Sequence, residues 1–442
     1  MAVVTWTGST DTDYGTAGNW DTSSVPTSSD DVIIANVSND CVLDGSRSVN
    51  SFTVLSGGDF NGNTETLTVV GEADGSGATT NGYAVKFETG SEVVGTTTGN
   101  VRDLTINHAN AVVNIRNNTT LSRDLTITAG ELTTTSDSYA LTVTGDVTIA
   151  AAGGLVCNSS TVSVDSFTIS SGGTLSAPDA SGSLTLNGTK NAWSFQNNST
   201  NFSHNNGTIT QTNAGHIKSV SSNPMYNFIM NSSSSDSHEA VFRPSSGTDC
   251  VIAANDVTVT RGIVKLNTVS NNASMGSLTI GSTGTFQASS GTTTITSMTS
   301  TGSGDRSLSL VSGGTFTNNS GTVLLNGGSD QRIQMAGTGN LYNLTINKAN
   351  NEIVTFGDLT ILNNLDVTLA ADHTWRPNAP SDTLTVHGNT YLTTGRINNG
   401  STQYAGVNNW GNVTINSGEV VLSSGTNNFT GIRNIGGTVS QS

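Results

Sequence analysis

Two aspartates, Asp124 and Asp146, each begin a short strand-like segment, and the sequence separates them by about the length of one repeat. Two carboxylates about 5 to 9.5 Å apart can cleave a glycosidic bond, one as the acid and the other as nucleophile or base. One turn of a repeating structure between the two aspartates would give that geometry. Both also occupy the same position of a repeated motif, where a turn-forming Asp is expected. The sequence therefore offers one candidate polysaccharide-cleaving pair and no local catalytic motif.

The metal-ligand candidates are four aspartates near the N-terminus. Asp11, Asp13, Asp30 and Asp31 supply the hard oxygen ligands that calcium takes, but their spacing matches neither the EF-hand loop nor the Gly-Gly-x-Gly-x-Asp repeat. They are calcium candidates, with solvated turns as the alternative. The six histidines form no H-E-x-x-H or H-x-x-E-H arrangement, so zinc is not expected. No other cofactor is predicted.

Three tryptophans are candidates for glycan contact. Trp193, Trp375 and Trp410 lie in polar segments that are typical of loops. An exposed aromatic ring offers an apolar face on which a sugar can stack, whereas a buried ring only fills the core. Both interpretations remain open from the sequence.

The cysteines Cys41, Cys157 and Cys250 lie far apart without metal-ligand spacing, and their odd number excludes complete pairing within the chain. We expect them to be small buried apolar residues.

A repeated motif must position these residues. It consists of a small polar residue, an apolar residue, Thr, and Ile or Val, and is usually followed by a Gly turn. Its alternation predicts short strands with the apolar residues on one face. Clear copies are Ser51–Val54, Asp124–Ile127, Asp146–Ile149, Ser166–Ile169, Asp256–Val259, Ser277–Ile280 and Asn412–Ile415.

The copies that begin at Asp124, Asp146 and Ser166, and those that begin at Asp256 and Ser277, follow one another at about 20 to 22 residues, which is the length of one solenoid coil. We therefore predict an all-β parallel β-helix (β-solenoid) with an N-terminal cap. Tandem β-sandwich domains are the alternative, although these need about 100 residues each. Residues 1–50 would form the cap and first strands, and residues 51–442 a body of coils with that repeat length. The likeness of Phe202–Thr208 to Phe316–Thr322 suggests that larger blocks were duplicated.

Asparagine pairs recur between these segments. We expect them to adopt left-handed turn conformations and to stack as ladders between coils. Examples are Asn271-Asn272, Asn318-Asn319 and Asn427-Asn428.

The composition is sparing in apolar and charged residues, at 33% and 11%, and rich in glycine, which suits a narrow core with many turns. The formal net charge of −16 and the pI near 4.5 argue against binding nucleic acid or an anionic membrane surface. No apolar run reaches the roughly 18 residues of a membrane span, and the N-terminal residues lack the basic and apolar regions of a signal peptide.

The opening of the chain carries a resemblance. Trp6-Thr7-Gly8, Gly18-Asn19-Trp20, Pro26 and Asp30-Asp31-Val32-Ile33-Ile34 form a W-x-G…NW…P…D-x-V-x-I pattern. This pattern resembles the segment that begins many β-helical adhesin-like proteins of bacteria and virion-associated proteins of marine phages. The resemblance implies a surface structural or adhesive role and supplies no catalytic residues.

We therefore expect a non-enzymatic structural protein of the virion exterior, as a head decoration, a fibre or a tail appendage. The alternatives are a bacterial surface adhesin or extracellular filament subunit, located on the cell surface or outside the cell, and a polysaccharide-depolymerising tailspike. Expected partners are other virion or surface proteins, further copies of the chain as in a homotrimer, and a cell-surface glycan. Neither nucleic acid nor membrane insertion is expected.

Overall fold

A computed structural model describes the backbone of residues 2–55, 57–63, 65–70, 73–75, 78–80, 83–87, 93–97, 101–115, 118–134, 137–188, 193–218, 222–244, 249–266, 270–298, 306–348, 354–370, 373–377, 379, 381–397, 408–422 and 426–441. Side chains are described for the same residues except 73–75, 78–80, 83–87, 93–97, 101–102, 354–356, 377 and 441. In this part of the chain no helix is long and apolar enough to cross a membrane. Its only helical segment is a 3₁₀ turn at Ala17–Asn19.

The strands are short and pair in parallel with strands of the neighbouring coils. For example, Leu125–Ile127 pairs with Val147–Ile149, which pairs with Phe167–Ile169. The prediction of a parallel β-solenoid is confirmed, with about 15 turns in all. The alternative of tandem β-sandwiches is wrong, because sandwiches are built from antiparallel strands.

The chain divides into two compact units, residues 1–210 and 211–442. The strands of the first unit, together with β21 at the boundary, are β1 Val3–Trp6, β2 Asp31–Ile34, β3 Cys41–Val42, β4 Arg47–Val49, β5 Ser51–Val54, β6 Asp59–Asn61, β7 Thr66–Val69, β8 Ala73–Gly75, β9 Ala78–Thr80, β10 Tyr83–Phe87, β11 Val93–Thr97, β12 Val101–Ile115, β13 Thr119–Leu121, β14 Leu125–Thr133, β15 Leu141–Val156, β16 Thr161–Ile169, β17 Thr174–Ser176, β18 Ser183–Leu186, β19 Trp193–Asn197, β20 Asn201–Ser203 and β21 Thr208–Gln211.

The strands of the second unit are β22 Gly215–Lys218, β23 Asn227–Asn231, β24 Glu239–Phe242, β25 Cys250–Val251, β26 Asp256–Leu266, β27 Ala273–Met275, β28 Ser277–Gln287, β29 Thr292–Ile295, β30 Leu308–Leu310, β31 Thr315–Thr317, β32 Thr322–Leu325, β33 Gln331–Met335, β34 Asn343–Lys348, β35 Val354–Phe356, β36 Leu359–Ile361, β37 Leu365–Leu369, β38 Thr374–Pro377, β39 Leu384–Val386, β40 Asn389–Thr394, β41 Arg396–Ile397, β42 Asn408–Asn409, β43 Asn412–Ile415, β44 Glu419–Leu422, β45 Asn427–Asn428, β46 Gly431–Asn434 and β47 Thr438–Gln441. We call the sheet formed by β25, β27, β29, β32, β34, β37, β40, β43 and β46 the nine-strand sheet.

The repeated motif forms strands because its apolar residues alternate with polar ones. In β14 the side chains of Leu125 and Ile127 are fully buried, whereas Thr126 between them points outward and is half-buried. Each fully buried aliphatic side chain stabilises the fold by about 1.5–3 kcal/mol relative to an exposed one. The inward residues therefore stack from coil to coil into a narrow continuous core within each unit. Phe286 and Phe316 illustrate this, since they pair in register with parallel rings 6.1 Å apart.

Coil length varies along the body. Leu125 pairs with Val147, whereas Leu278 pairs with Leu308, so the coil that begins at Leu278 is the longer of the two. A solenoid can lengthen the connections between its strands without disturbing the stacked core.

Aromatic residues close the beginning of the first unit. The ring of Trp20 lies 5.0 Å from that of Trp6 and 4.7 Å from that of Tyr14, with both contacts edge-to-face, and all three side chains are buried. The indole N–H of Trp6 donates to the Asn39 carbonyl oxygen, and that of Trp20 to the Tyr14 carbonyl oxygen, both at 2.8 Å. Both buried indole N–H groups are therefore satisfied.

The side chain of Asn19 makes four hydrogen bonds within this cap. Its side-chain oxygen accepts the backbone N–H groups of Thr10 and Asp11 at 2.8 and 3.0 Å, and its amide nitrogen donates to the Asp11 carboxylate and the Asp13 carbonyl. Gly8 has a φ of +58°, and a Cβ there would lie 2.8 Å from the Asn39 carbonyl oxygen, so glycine is needed. The W-x-G and N-W residues of the opening pattern thus build one cap.

The substitution Asn19→Ala is expected to lower the free energy of unfolding by about 2 kcal/mol, because it removes four hydrogen bonds made by a buried side chain. The exposed Asn36 provides the control, and Asn36→Ala is expected to change stability by less than about 0.5 kcal/mol. Urea denaturation followed by circular dichroism measures both. Equal effects of the two substitutions would contradict the role of Asn19.

Candidate functional site

The first residue of each motif strand in the first unit holds the next coil. The backbone N–H of Asp124 donates to the Asp103 carboxylate at 3.3 Å, and that of Asp146 donates to the Asp124 carboxylate at 2.9 Å. The Ser166 hydroxyl then donates to the Asp146 carboxylate at 2.7 Å. We call this column the aspartate ladder. It explains why a small acceptor side chain recurs at this motif position.

The second unit has an equivalent column of amides, the asparagine ladder, on the nine-strand sheet. The Asn343 side-chain oxygen accepts the backbone N–H of Asn364 at 3.1 Å, and the Asn364 oxygen accepts both the backbone and side-chain N–H groups of Asn389, at 3.3 and 3.1 Å. Asn389 accepts in turn from the Asn412 side chain at 3.4 Å.

The asparagines of this ladder lie outside the predicted pairs. Among the predicted pairs, Asn427 and Asn428 are in register with Asn408 and Asn409 of the neighbouring coil and share side-chain hydrogen bonds with them. Of the predicted members that the structure describes, Asn319 alone has the expected left-handed conformation, with a φ of 45°.

These hydrogen bonds show that the carboxylates of Asp124 and Asp146 hold neighbouring coils together. Each carboxylate accepts a hydrogen bond from the following coil in a position that serine or asparagine fills in other coils. The geometry favours a structural role over a glycosidase pair.

Of the four calcium candidates, Asp11 and Asp13 lie together in the Asn19 cap, whereas Asp30 and Asp31 make contacts elsewhere. Hydrogen bonds from the Asp13 backbone N–H and the Asn19 side chain hold the pKa of the Asp11 carboxyl below its usual value. Asp30 accepts from the hydroxyl and backbone N–H of Thr27, which also lowers its pKa. Asp31 accepts from the side chains of Asn50 and Ser51 at 2.6 and 2.8 Å, and so belongs to a cross-coil contact. Across the described ranges, no three His, Cys, Asp or Glu side chains form a group that could hold a metal ion.

The three candidate tryptophans differ in burial. Trp375 is 0% exposed and Trp410 is 1% exposed, and the Trp410 ring stacks on Phe429 with centroids 6.2 Å apart. The structure contradicts a glycan-stacking role for these two residues, because neither ring has a face open to solvent. Trp193 is half-buried at the start of β19 and remains a candidate.

The cysteines lie in the core as expected. Cys41, Cys157 and Cys250 are free thiols and buried. Burial raises the pKa of Cys157 and Cys250 to about 12 and that of Cys41 well above its usual value. All three are therefore protonated at neutral pH and are poor nucleophiles.

Sequence reasoning missed the outer face of the nine-strand sheet. One outward side chain per strand forms a column that we call the face column, and successive members are register partners on neighbouring strands. Its members are Val251, Ser274, Thr294, Leu324, Thr345, Asp366, Tyr391, Thr414 and Arg433.

The outer face of the nine-strand sheet contains a cavity and a half-buried carboxyl group. A cavity of about 290 Å³ lies beside Ser274, Thr294 and Leu324. Further along the column, Asp366 is half-buried, and burial raises the pKa of its carboxyl above the usual value. The alternation of apolar and polar residues in the sequence predicts which side chains of a single strand point outward. Which strands are neighbours depends on coil lengths that the sequence does not reveal.

Removing the acceptor at Asp146 is expected to be costlier than removing its charge. Asp146→Asn keeps an oxygen that can accept the Ser166 hydroxyl and should change the free energy of unfolding by less than about 0.5 kcal/mol, whereas Asp146→Ala should cost about 1 kcal/mol. Chemical denaturation measures the two differences. An Asn substitution as damaging as Ala would show that the negative charge itself is required.

Thiol ionisation is expected to weaken the fold at alkaline pH. An unfolded cysteine loses its proton near pH 8.5, whereas folded Cys157 and Cys250 keep theirs up to about pH 12. The stability from these groups is therefore complete below about pH 8.5 and falls as the pH rises towards 12. Cys157→Ala should show a shallower loss of stability between pH 8.5 and 11 than the wild-type chain. An identical pH slope in both proteins would contradict this prediction.

Comparison with known proteins returned no family model, no curated protein and no solved structure that matches this chain.

Proposed function

We propose that this chain is a non-enzymatic structural protein of a virion exterior, in which the β-solenoid provides a stiff display or host-attachment surface. The observation that carries the proposal is the pair of ladders. The side chains of Asp124, Asp146, Asn343 and Asn364 are used to fasten one coil to the next. Their acceptors are committed to stacking, which suits a protein whose task is to hold a shape.

The ladders add to the parallel backbone hydrogen bonds between coils. A net contribution of about 0.5–1.5 kcal/mol per hydrogen bond, repeated along each ladder, helps the stacked coils to resist bending and local unfolding. The excess of acidic residues limits self-association at close packing, because like-charged surfaces repel one another. Both properties suit an exposed position on a particle.

The test is to locate the chain. Mass spectrometry of purified phage particles from the source culture is expected to detect it at a fixed ratio to the major capsid protein. Negative-stain imaging with an antibody against the chain is expected to label one type of projection or decoration. Detection only on cell envelopes or in the culture medium would refute the virion assignment and favour a bacterial adhesin.

A further inference from the structure

We propose that the outer face of the nine-strand sheet binds a linear, hydroxyl-rich polysaccharide that runs along the face column from coil to coil. This inference rests on the proposed host-attachment function and names the class of molecule to which the surface attaches.

The spacing of the face column suits a repeating ligand. Neighbouring parallel strands lie about 4.8 Å apart, so the column presents one side chain at each such step. This distance is close to the length of one sugar unit in an extended chain. The asparagine ladder runs beside the column, two residues away on each strand, and fixes the position of the strands that carry it.

One end of the column contains the cavity of about 290 Å³. Its polar lining comes from Asp249, Asn272, Ser274, Thr292 and Thr294, and Leu324 gives it an apolar patch. The backbone N–H of Thr292 donates to the Asn272 side-chain oxygen at 2.8 Å, which fixes that amide. Hydroxyl, amide and carboxylate groups beside a small apolar surface match the two sides of a sugar ring, its hydroxyl rim and its C–H face.

Asp366 lies two strands beyond Leu324 in the column. Its side chain is half-buried, and within the described part of the chain its carboxylate has no hydrogen bond or ion pair. A carboxylate that loses water without gaining a partner destabilises the fold. The raised pKa of Asp366 reflects this loss. Sugar hydroxyls would supply the missing donors, and hydrogen bonds to a charged acceptor are among the strong ones.

Tyr391 follows Asp366 on the next strand and is also half-buried and outward-facing. Its ring provides an apolar surface that can lie against the C–H face of a sugar. Thr414 and the exposed Arg433 continue the column with further hydrogen-bond donors. From the cavity to Arg433, the face therefore offers sugar-compatible groups on consecutive strands.

Other ligands fit this face less well. The net charge of −16 opposes nucleic acid and anionic membranes. A protein partner would need a cluster of large apolar or aromatic anchors, whereas the apolar members of the face column, Val251, Leu324 and Tyr391, are separated by polar side chains. A regular threonine array, as an ice surface would need, is interrupted by Leu324, Asp366 and Tyr391.

The experiment uses the full chain on an array of immobilised linear bacterial polysaccharides, including O-antigen and capsular chains of neutral and acidic composition. Wild-type protein is expected to bind at least one neutral or amino-sugar-containing polysaccharide. Tyr391→Ala and Asp366→Asn should each weaken that binding by roughly tenfold, as expected for the loss of one stacking contact or one charged hydrogen bond. Tyr139→Ala and Asp137→Asn, in the first unit, serve as matched controls and should bind like the wild type.

The effect of Asp366→Asn on stability also distinguishes a binding residue from a purely structural one. Because the substitution removes a desolvated charge without a partner, it is expected to raise the melting temperature of the free protein while it lowers affinity. Substitution of a purely structural residue would lower both the melting temperature and the affinity. Folding of each variant is checked by circular dichroism.

Three results would overturn the inference. The first is that the chain binds no polysaccharide at millimolar concentration. The second is that the variants and their controls lose equal amounts of binding. The third is that the polysaccharide becomes shorter during incubation, which would make the face catalytic. Virions that carry the chain without glycan binding would refute this inference alone. Glycan binding by a chain found only on cell envelopes would refute the virion assignment alone.

Discussion

Parallel stacking in register is the constraint on which this structure depends. A single coil is too short to bury its own apolar face, so each coil is stable only between two others. Backbone hydrogen bonds supply most of the connection, and the aspartate and asparagine ladders fix the register by tying the first residue of one strand to the next coil. A shift of one residue would turn Leu125 and Ile127 outward and would also break the ladder.

The ladders and the binding face are connected through the same strands. Within a strand such as Asn389–Thr394, Asn389 belongs to the ladder, Thr390 and Leu392 face the core, and Tyr391 faces outward. One short segment thus contributes to stacking, core and surface at once. The outward positions are the ones least constrained by folding, so they can carry a residue such as Asp366 that stability alone would not favour.

Local features of the fold could be read from the sequence, because they depend on the alternation within single strands. Leu125, Thr126 and Ile127 lie on the expected faces, and Cys157 is buried as predicted. Whether Trp375 and Trp410 contact a glycan or fill the core stayed open, because their polar neighbours are typical of a loop, and only the fold shows that both rings are buried. Asp366 and Tyr391 are distant in the sequence, and only the actual coil length makes them neighbours. Long-range register is decided by loop lengths, which no local pattern encodes.

The direction of the ladders has a consequence for how the chain can assemble. In both units the acceptor lies on the earlier coil and the donor on the later one, as between Asp124 and Asp146 or between Asn343 and Asn364. A coil that has already formed therefore presents a finished template before its successor leaves the ribosome. Within each unit, growth can therefore proceed along the ladder in the order of synthesis, and each step requires only a short stretch of new chain. Such a mode of growth keeps the contacts local and needs no distant segment to complete the core.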